Sequence, residues 1–211
     1  MNDSAVTHPL EALREMVRGG QVDGAVGERC GMCAAPIPAL HRHLVDMTDR
    51  TILYMCTPRQ LLFSEPAAAA GRYRQVPMRY RAIDGFDVDD HEWDDLQIPV
   101  GLAFFFRNSS TERVAAFYPG PAGATESLLP LDAWSAIQAR HPAVDSVDDD
   151  VEAVLVRRSK SGPAEAFIVP IDRCYELTGR LRMRWSGFDG GSEAHAEIDR
   201  FFDDVRARAG A

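Results

Sequence analysis

Cys30 and Cys33 stand at the C-x-x-C spacing that lets two thiolates converge on one tetrahedral ion, and Cys56 follows 23 residues later. Gly31 between the first pair is expected to ease the turn. His41 and His43 lie two apart, so in an extended chain both point to one face and either could supply an imidazole nitrogen. Cys30, Cys33, His41, His43 and Cys56 are thus five candidate ligands for the four positions of a structural zinc ion. Three thiolates and one neutral histidine on Zn²⁺ carry a formal charge of about −1. Arg29, Arg42, Arg50 and Arg59 are close enough in sequence to offset it.

Two rival chemistries are weaker. A redox C-x-x-C places its first cysteine at a helix N-terminus, where the dipole lowers the thiol pKa, and here Pro36 and Pro38 oppose a continuing helix. A simple iron centre needs a fourth nearby cysteine, whereas Cys174 reads as a buried apolar residue on a helix.

These ligands need a scaffold. A segment from 28 to about 64 is expected to form a small zinc-ribbon-like module, preceded by a helix at 9–18 and a glycine-bearing linker within residues 1–27. An α+β domain follows over 72–211, a mostly antiparallel sheet with helices. Its parts are an extended stretch at 72–82 interrupted by Pro77 and a short helix in "DGFDVDDHEWDDLQ". A hairpin of 100–107 and 113–118 turns at Asn108 to Thr111, and a helix spans 131–140. Strands at 151–158 and 165–170 then lead into a helix ending near 184, a second ββα unit. A last helix is expected from Ser192 as N-cap, with Ile198, Phe201, Phe202 and Val205 as its apolar stripe. The loop 119–127 and Arg107 form a candidate anion cradle, for which a plain surface loop is the simpler explanation.

Composition narrows the function. The chain has 211 residues, 45% of them hydrophobic, and a net charge of −9. That charge would repel a phosphate backbone, so nucleic acid is not an expected partner. The arginines at 72–81 and 180–184 read as faces paired with Asp and Glu. No apolar run approaches the roughly 20 residues that cross a bilayer, and the first 20 residues lack a secretory signal, so a cytoplasmic protein is expected. No nucleophile elbow, metalloprotease helix or dinucleotide fingerprint is present.

The set "ERCGMC", "HRHLVD", "LLF", "IPVGLAFFFR", "AAFYPGPAGATESLL", "LDAW" and "IVPIDRCYEL" resembles a bacterial protein family of unknown function over about residues 28–204. The genes of that family accompany actinobacterial-type nickel-iron hydrogenase clusters. The resemblance implies a second C-x-x-C pair ahead of "LLF", of which Cys56 is the first member, while Arg59 holds the place of the second. It also implies a non-catalytic accessory or assembly protein whose partners are hydrogenase or other metalloenzyme subunits. The alternative is a small metal-dependent or redox enzyme using the Cys/His site.

Overall fold

The computed structural model describes residues 27–63, 68–128, 130–158, 162–187 and 190–210. The helix expected at 9–18 lies outside them. Two antiparallel sheets organise the rest. The smaller contains β1 (Arg42–Asp46), β2 (Thr51–Met55) and β3 (Tyr73–Gln75) in the order β2-β1-β3. A six-residue helix, α1 (Thr57–Leu62), leaves β2 through Cys56. Cys30, Ile37, Leu44 and Met55 form a core of their own beneath this sheet, edged by Phe63 and Tyr73.

The larger sheet contains β4 (Arg81–Ala82), β5 (Leu102–Asn108), β6 (Arg113–Gly120), β7 (Gly123–Ser127), β8 (Glu152–Arg157) and β9 (Glu165–Pro170), ordered β4-β9-β8-β5-β6-β7. The central strands read as unbroken apolar runs because both faces are covered. Leu102, Phe104 and Phe106 of β5 pack under α4 (Ile171–Arg184) and α5 (Gly191–Ala209), whereas Ala103 and Phe105 face α2 (Asp90–Asp95) and α3 (Leu131–Arg140). Asp89 and Glu92 form a reciprocal capping box at the start of α2, which explains the acidity of that segment. The fold is α+β with antiparallel sheets, as the patterning indicates.

Three details differ from the sequence expectation. The stretch 72–82 is divided between the sheets: β3 joins the small one and β4 the large one, and Pro77, with no N–H to give a ladder, lies between them. The segment 119–127 is no loop: β7 pairs with β6 from Ala116↔Ser127 to Gly120↔Gly123, and the two-residue turn is set by Gly123 at φ 112°. An edge strand of "GATES" buries little, so it has no apolar alternation to betray it. That pairing occupies the supposed anion cradle, and Arg107 turns to Asp149 at 3.7 Å. Finally, α5 starts at Gly191 after a left-handed Gly190, which puts Ser192 inside the helix.

The two ββα units share element order but not symmetry. β5 and β8 are antiparallel neighbours, and the rotation that exchanges such strands runs normal to the sheet, which would put both helices on one face. α3 and α4 sit on opposite faces. The short sequence echo between the units therefore reflects similar strand-to-helix junctions at Pro130 and Pro170.

Ion pairs join the sheets and absorb the clustered arginines. Asp46 in β1 accepts Arg72 Nη2 at 2.8 Å, Asp150 accepts Arg50 Nη2 at 2.7 Å, and Glu197 on α5 meets Arg180, Arg184 and Arg200. The Arg72 hydrogen bonds hold the Asp46 carboxyl below its ordinary value. Burial pushes Glu197 up, but its bonds to Arg200 and Arg180 and the Arg184 charge outweigh that and lower it. Groups depressed on folding stabilise the protein above the unfolded carboxylate range and lose that contribution as pH falls through the folded values. Thermal midpoints are expected to hold from pH 7 to about 5 and to fall below about 4. Asp46→Asn together with Glu197→Gln should flatten that decline in a scan of midpoint against pH.

Candidate metal centre and the histidine cleft

Backbone bonds build the thiol site first. Cys30 N–H donates to Ala35 O at 2.9 Å, Ala34 N–H to Cys30 O at 2.9 Å, and Gly31 N–H to Tyr54 O at 2.8 Å. The first two close a tight knuckle, and the third ties it to β2 just before Cys56. Ala34, not Gly31, takes the left-handed conformation this turn requires, at φ 57°. An exposed alanine in that region is strained and loses no packing on replacement, so Ala34→Gly is expected to stabilise the module by about 0.5–1 kcal/mol. Chemical denaturation of the two proteins checks this.

The sulfur atoms of Cys30, Cys33 and Cys56 lie within 4.8 Å of one another, and those of Cys33 and Cys56 are 3.7 Å apart. Two sulfurs on a tetrahedral ion with bonds of about 2.3 Å stand roughly 3.8 Å apart. The donor set therefore fits a thiophilic cation. Burial raises the Cys30 thiol, but backbone N–H groups of Cys56, Met32 and Cys33 directed at its sulfur reverse this and bring it down to about 6. At Cys56 the Arg59 N–H favours the thiolate, while burial and the neighbouring thiols prevail and raise the pKa. With the Cys30 thiol brought down to about 6 beside two further sulfurs, the cluster is ready to exchange protons for a cation. Cys174 lies apart, fully buried on α4, and burial pushes its thiol well up.

Neither His41 nor His43 belongs to this group. Their rings turn to each other, with Nε2 atoms 2.9 Å apart. Nδ1 of His41 is 2.9 Å from Pro38 O, and Nδ1 of His43 bonds Oδ2 of Asp172 in the first turn of α4. The Tyr54 ring, opposite His43 in the β1–β2 register, packs against both imidazoles. These groups line a cleft of about 590 Å³ between the small sheet and α4, which Tyr80, Arg173 and Arg208 also border.

Of the arginines near the thiols in sequence, Arg29 donates to Ala34 O in the knuckle itself, whereas Arg50 reaches across to Asp150. Sequence reasoning missed Asp172, because a partner 129 residues from His43 leaves no local signal. Its acid at a helix start is equally explained by the helix dipole. The solvent face of this region carries Leu40, Leu61 and Leu62 at 75%, 67% and 62% exposure.

Among the described residues no helix is long and apolar enough to cross a membrane. No curated protein and no solved structure matches the chain significantly. A family model does match, over residues 29–209, from the knuckle to the end of α5. The chain belongs to that family, DUF5947, a family of unknown function.

Proposed function

We propose that this protein is a non-catalytic accessory or assembly factor for a metalloenzyme, a nickel-iron hydrogenase by the gene neighbourhood of the family it resembles, and that it works in the cytoplasm. Zinc bound by Cys30, Cys33 and Cys56 would hold the knuckle against β2 and keep the module in shape. The observation that carries this reading is the convergence of three sulfurs within 4.8 Å on a module whose own core has four buried residues. Such a core is too small to shape a docking surface without a staple. Leu40, Leu61 and Leu62 give that surface apolar anchors. Tagged protein should retain hydrogenase subunits from cells that express them, and Leu61→Asp with Leu62→Asp should abolish retention. Failure of the wild-type protein to retain any hydrogenase subunit under metal-replete conditions would end the hydrogenase assignment.

A second reading, a small metal-dependent enzyme, is favoured by one observation: no described His, Asp or Glu joins the three sulfurs as a fourth donor. Catalytic zinc keeps three protein ligands and an exchangeable position. Binding of thiocyanate or azide to a Co²⁺-substituted thiol site, seen as a shift of its visible bands, would favour the enzyme. An unresponsive spectrum supports the structural role.

A further inference from the structure

The polar array in the cleft takes no part in the thiol site, and its hydrogen bonds define its chemistry. Pro38 O is a carbonyl and can only accept, so the His41 Nδ1 facing it at 2.9 Å carries that ring's proton. An ionised Asp172 likewise only accepts, so the proton of His43 is also on Nδ1. In the neutral form of both rings the two Nε2 atoms are bare lone pairs, and they face each other at 2.9 Å. Two lone pairs at that distance repel unless a positive centre joins them. Neutral imidazoles anchored at Nδ1 by a carboxylate or backbone carbonyl, with Nε2 free, are the form in which histidines ligate metals.

We propose that Nε2 of His41 and Nε2 of His43 together bind a divalent transition cation at a second site, separate from the thiol cluster. With metal–nitrogen bonds of about 2.0–2.1 Å, a 2.9 Å separation corresponds to an N–metal–N angle of roughly 90°, that of adjacent ligands in square or six-coordinate geometry. Imidazole nitrogens select zinc, copper or nickel over calcium and magnesium, which take oxygen ligands. The site is built and held. The His41 side chain is only 6% exposed, Tyr54 packs on both rings, and Asp172 is itself fixed by the Arg173 N–H on its Oδ1 at 2.8 Å. Two protein ligands leave the remaining positions to the cleft. Glu28 and Glu176 line it beside Arg42, while Arg173 and Arg208 are already paired with Glu176 and Asp204, so water or a carboxylate oxygen is the ligand class that would complete the coordination.

The test is a calorimetric titration of the full chain, its thiol cluster already loaded, with Zn²⁺ at pH 7.5. One further equivalent is expected. His41→Ala and His43→Ala should lose it, and Asp172→Asn should weaken it about 10–100-fold, the usual effect of losing an outer carboxylate. All three should keep the thiol-bound equivalent and the wild-type circular dichroism. Should a variant fail to fold, imidazole ¹⁵N spectra of the wild type decide instead: Zn²⁺ must move both Nε2 resonances. Absence of further heat, or Nε2 resonances unmoved by Zn²⁺ and coupled through a shared proton, would overturn the proposal.

Discussion

Cys30→Ser is expected to strip the metal from the thiol site, from about one equivalent to below roughly a tenth, and to unfold the small module while the six-stranded sheet stays folded. Backbone N–H groups of Cys56, Met32 and Cys33 are directed at the Cys30 sulfur, and its thiol is lowered to about 6. It is also 3% exposed and one of four buried residues described in the module core, so serine would bring a hydroxyl into an apolar setting as well. Structural zinc binding supplies about 10–16 kcal/mol in isolated zinc modules, far more than four buried side chains can replace. The larger cores on either side of the sheet rest on Phe104, Phe105, Ile168, Leu177 and Phe202, none of which touches the knuckle core. Hydrogen exchange should show rapid loss of protection at Cys30, Gly31, Ala34 and Ile37, the amides that close the knuckle, with β5 and β8 unaffected. Cys174→Ser is the control: it should weaken the body and leave metal content unchanged.

Arg79→Met is expected to destabilise the body by about 3 kcal/mol, the lower end of the range for breaking a buried ion pair by removing one partner. Glu152 opens β8 with 0% exposure, and Arg79 contacts both of its carboxylate oxygens, Nε to Oε1 at 2.9 Å and Nη2 to Oε2. Among the described residues the Asp148 N–H, at 3.0 Å from Oε2, is the hydrogen bond that would remain to the buried carboxylate. Arg79 sits between Pro77 and β4, so the same pair anchors the crossing from the small sheet to the large one. Removing the charge as well, in Arg79→Met/Glu152→Gln, should recover part of the loss, because the cost lies in the unpaired carboxylate rather than in the missing attraction. Urea denaturation of the three proteins gives the comparison. Equal stability of the single variant and the wild type would show that water reaches Glu152.

The large sheet was legible because its central strands and their helices are dense in apolar residues at the right periods. Val154, Leu155 and Val156, then Phe167, Ile168 and Val169, mark β8 and β9, and Pro170 marks the change to α4. β7 was not legible, since "GATES" is held by hydrogen bonds to β6 and not by burial. The crossing of residues 72–82 between sheets was half visible: Pro77 gave the break, but nothing local tells a three-residue strand which sheet to join. At the site, the cysteine spacing identified three sulfurs that do converge. The histidines could be seen to share a face, and not which neighbour that face meets. Asp172 decides this, and it reaches His43 only because α4 leaves β9 beside the small sheet. Arg59 marks the place the family resemblance gives to a fourth cysteine, on the first turn of α1.

The most direct test of the account is the visible spectrum of the full chain with Co²⁺ bound at one equivalent. Three converging thiolates should give sulfur-to-cobalt charge-transfer absorption with tetrahedral ligand-field bands, lost in Cys30→Ser and intact in His43→Ala. A protein that takes up Co²⁺ without charge-transfer absorption, or whose thiolate bands survive the loss of Cys30, would contradict the claim that Cys30, Cys33 and Cys56 hold a metal that shapes the module.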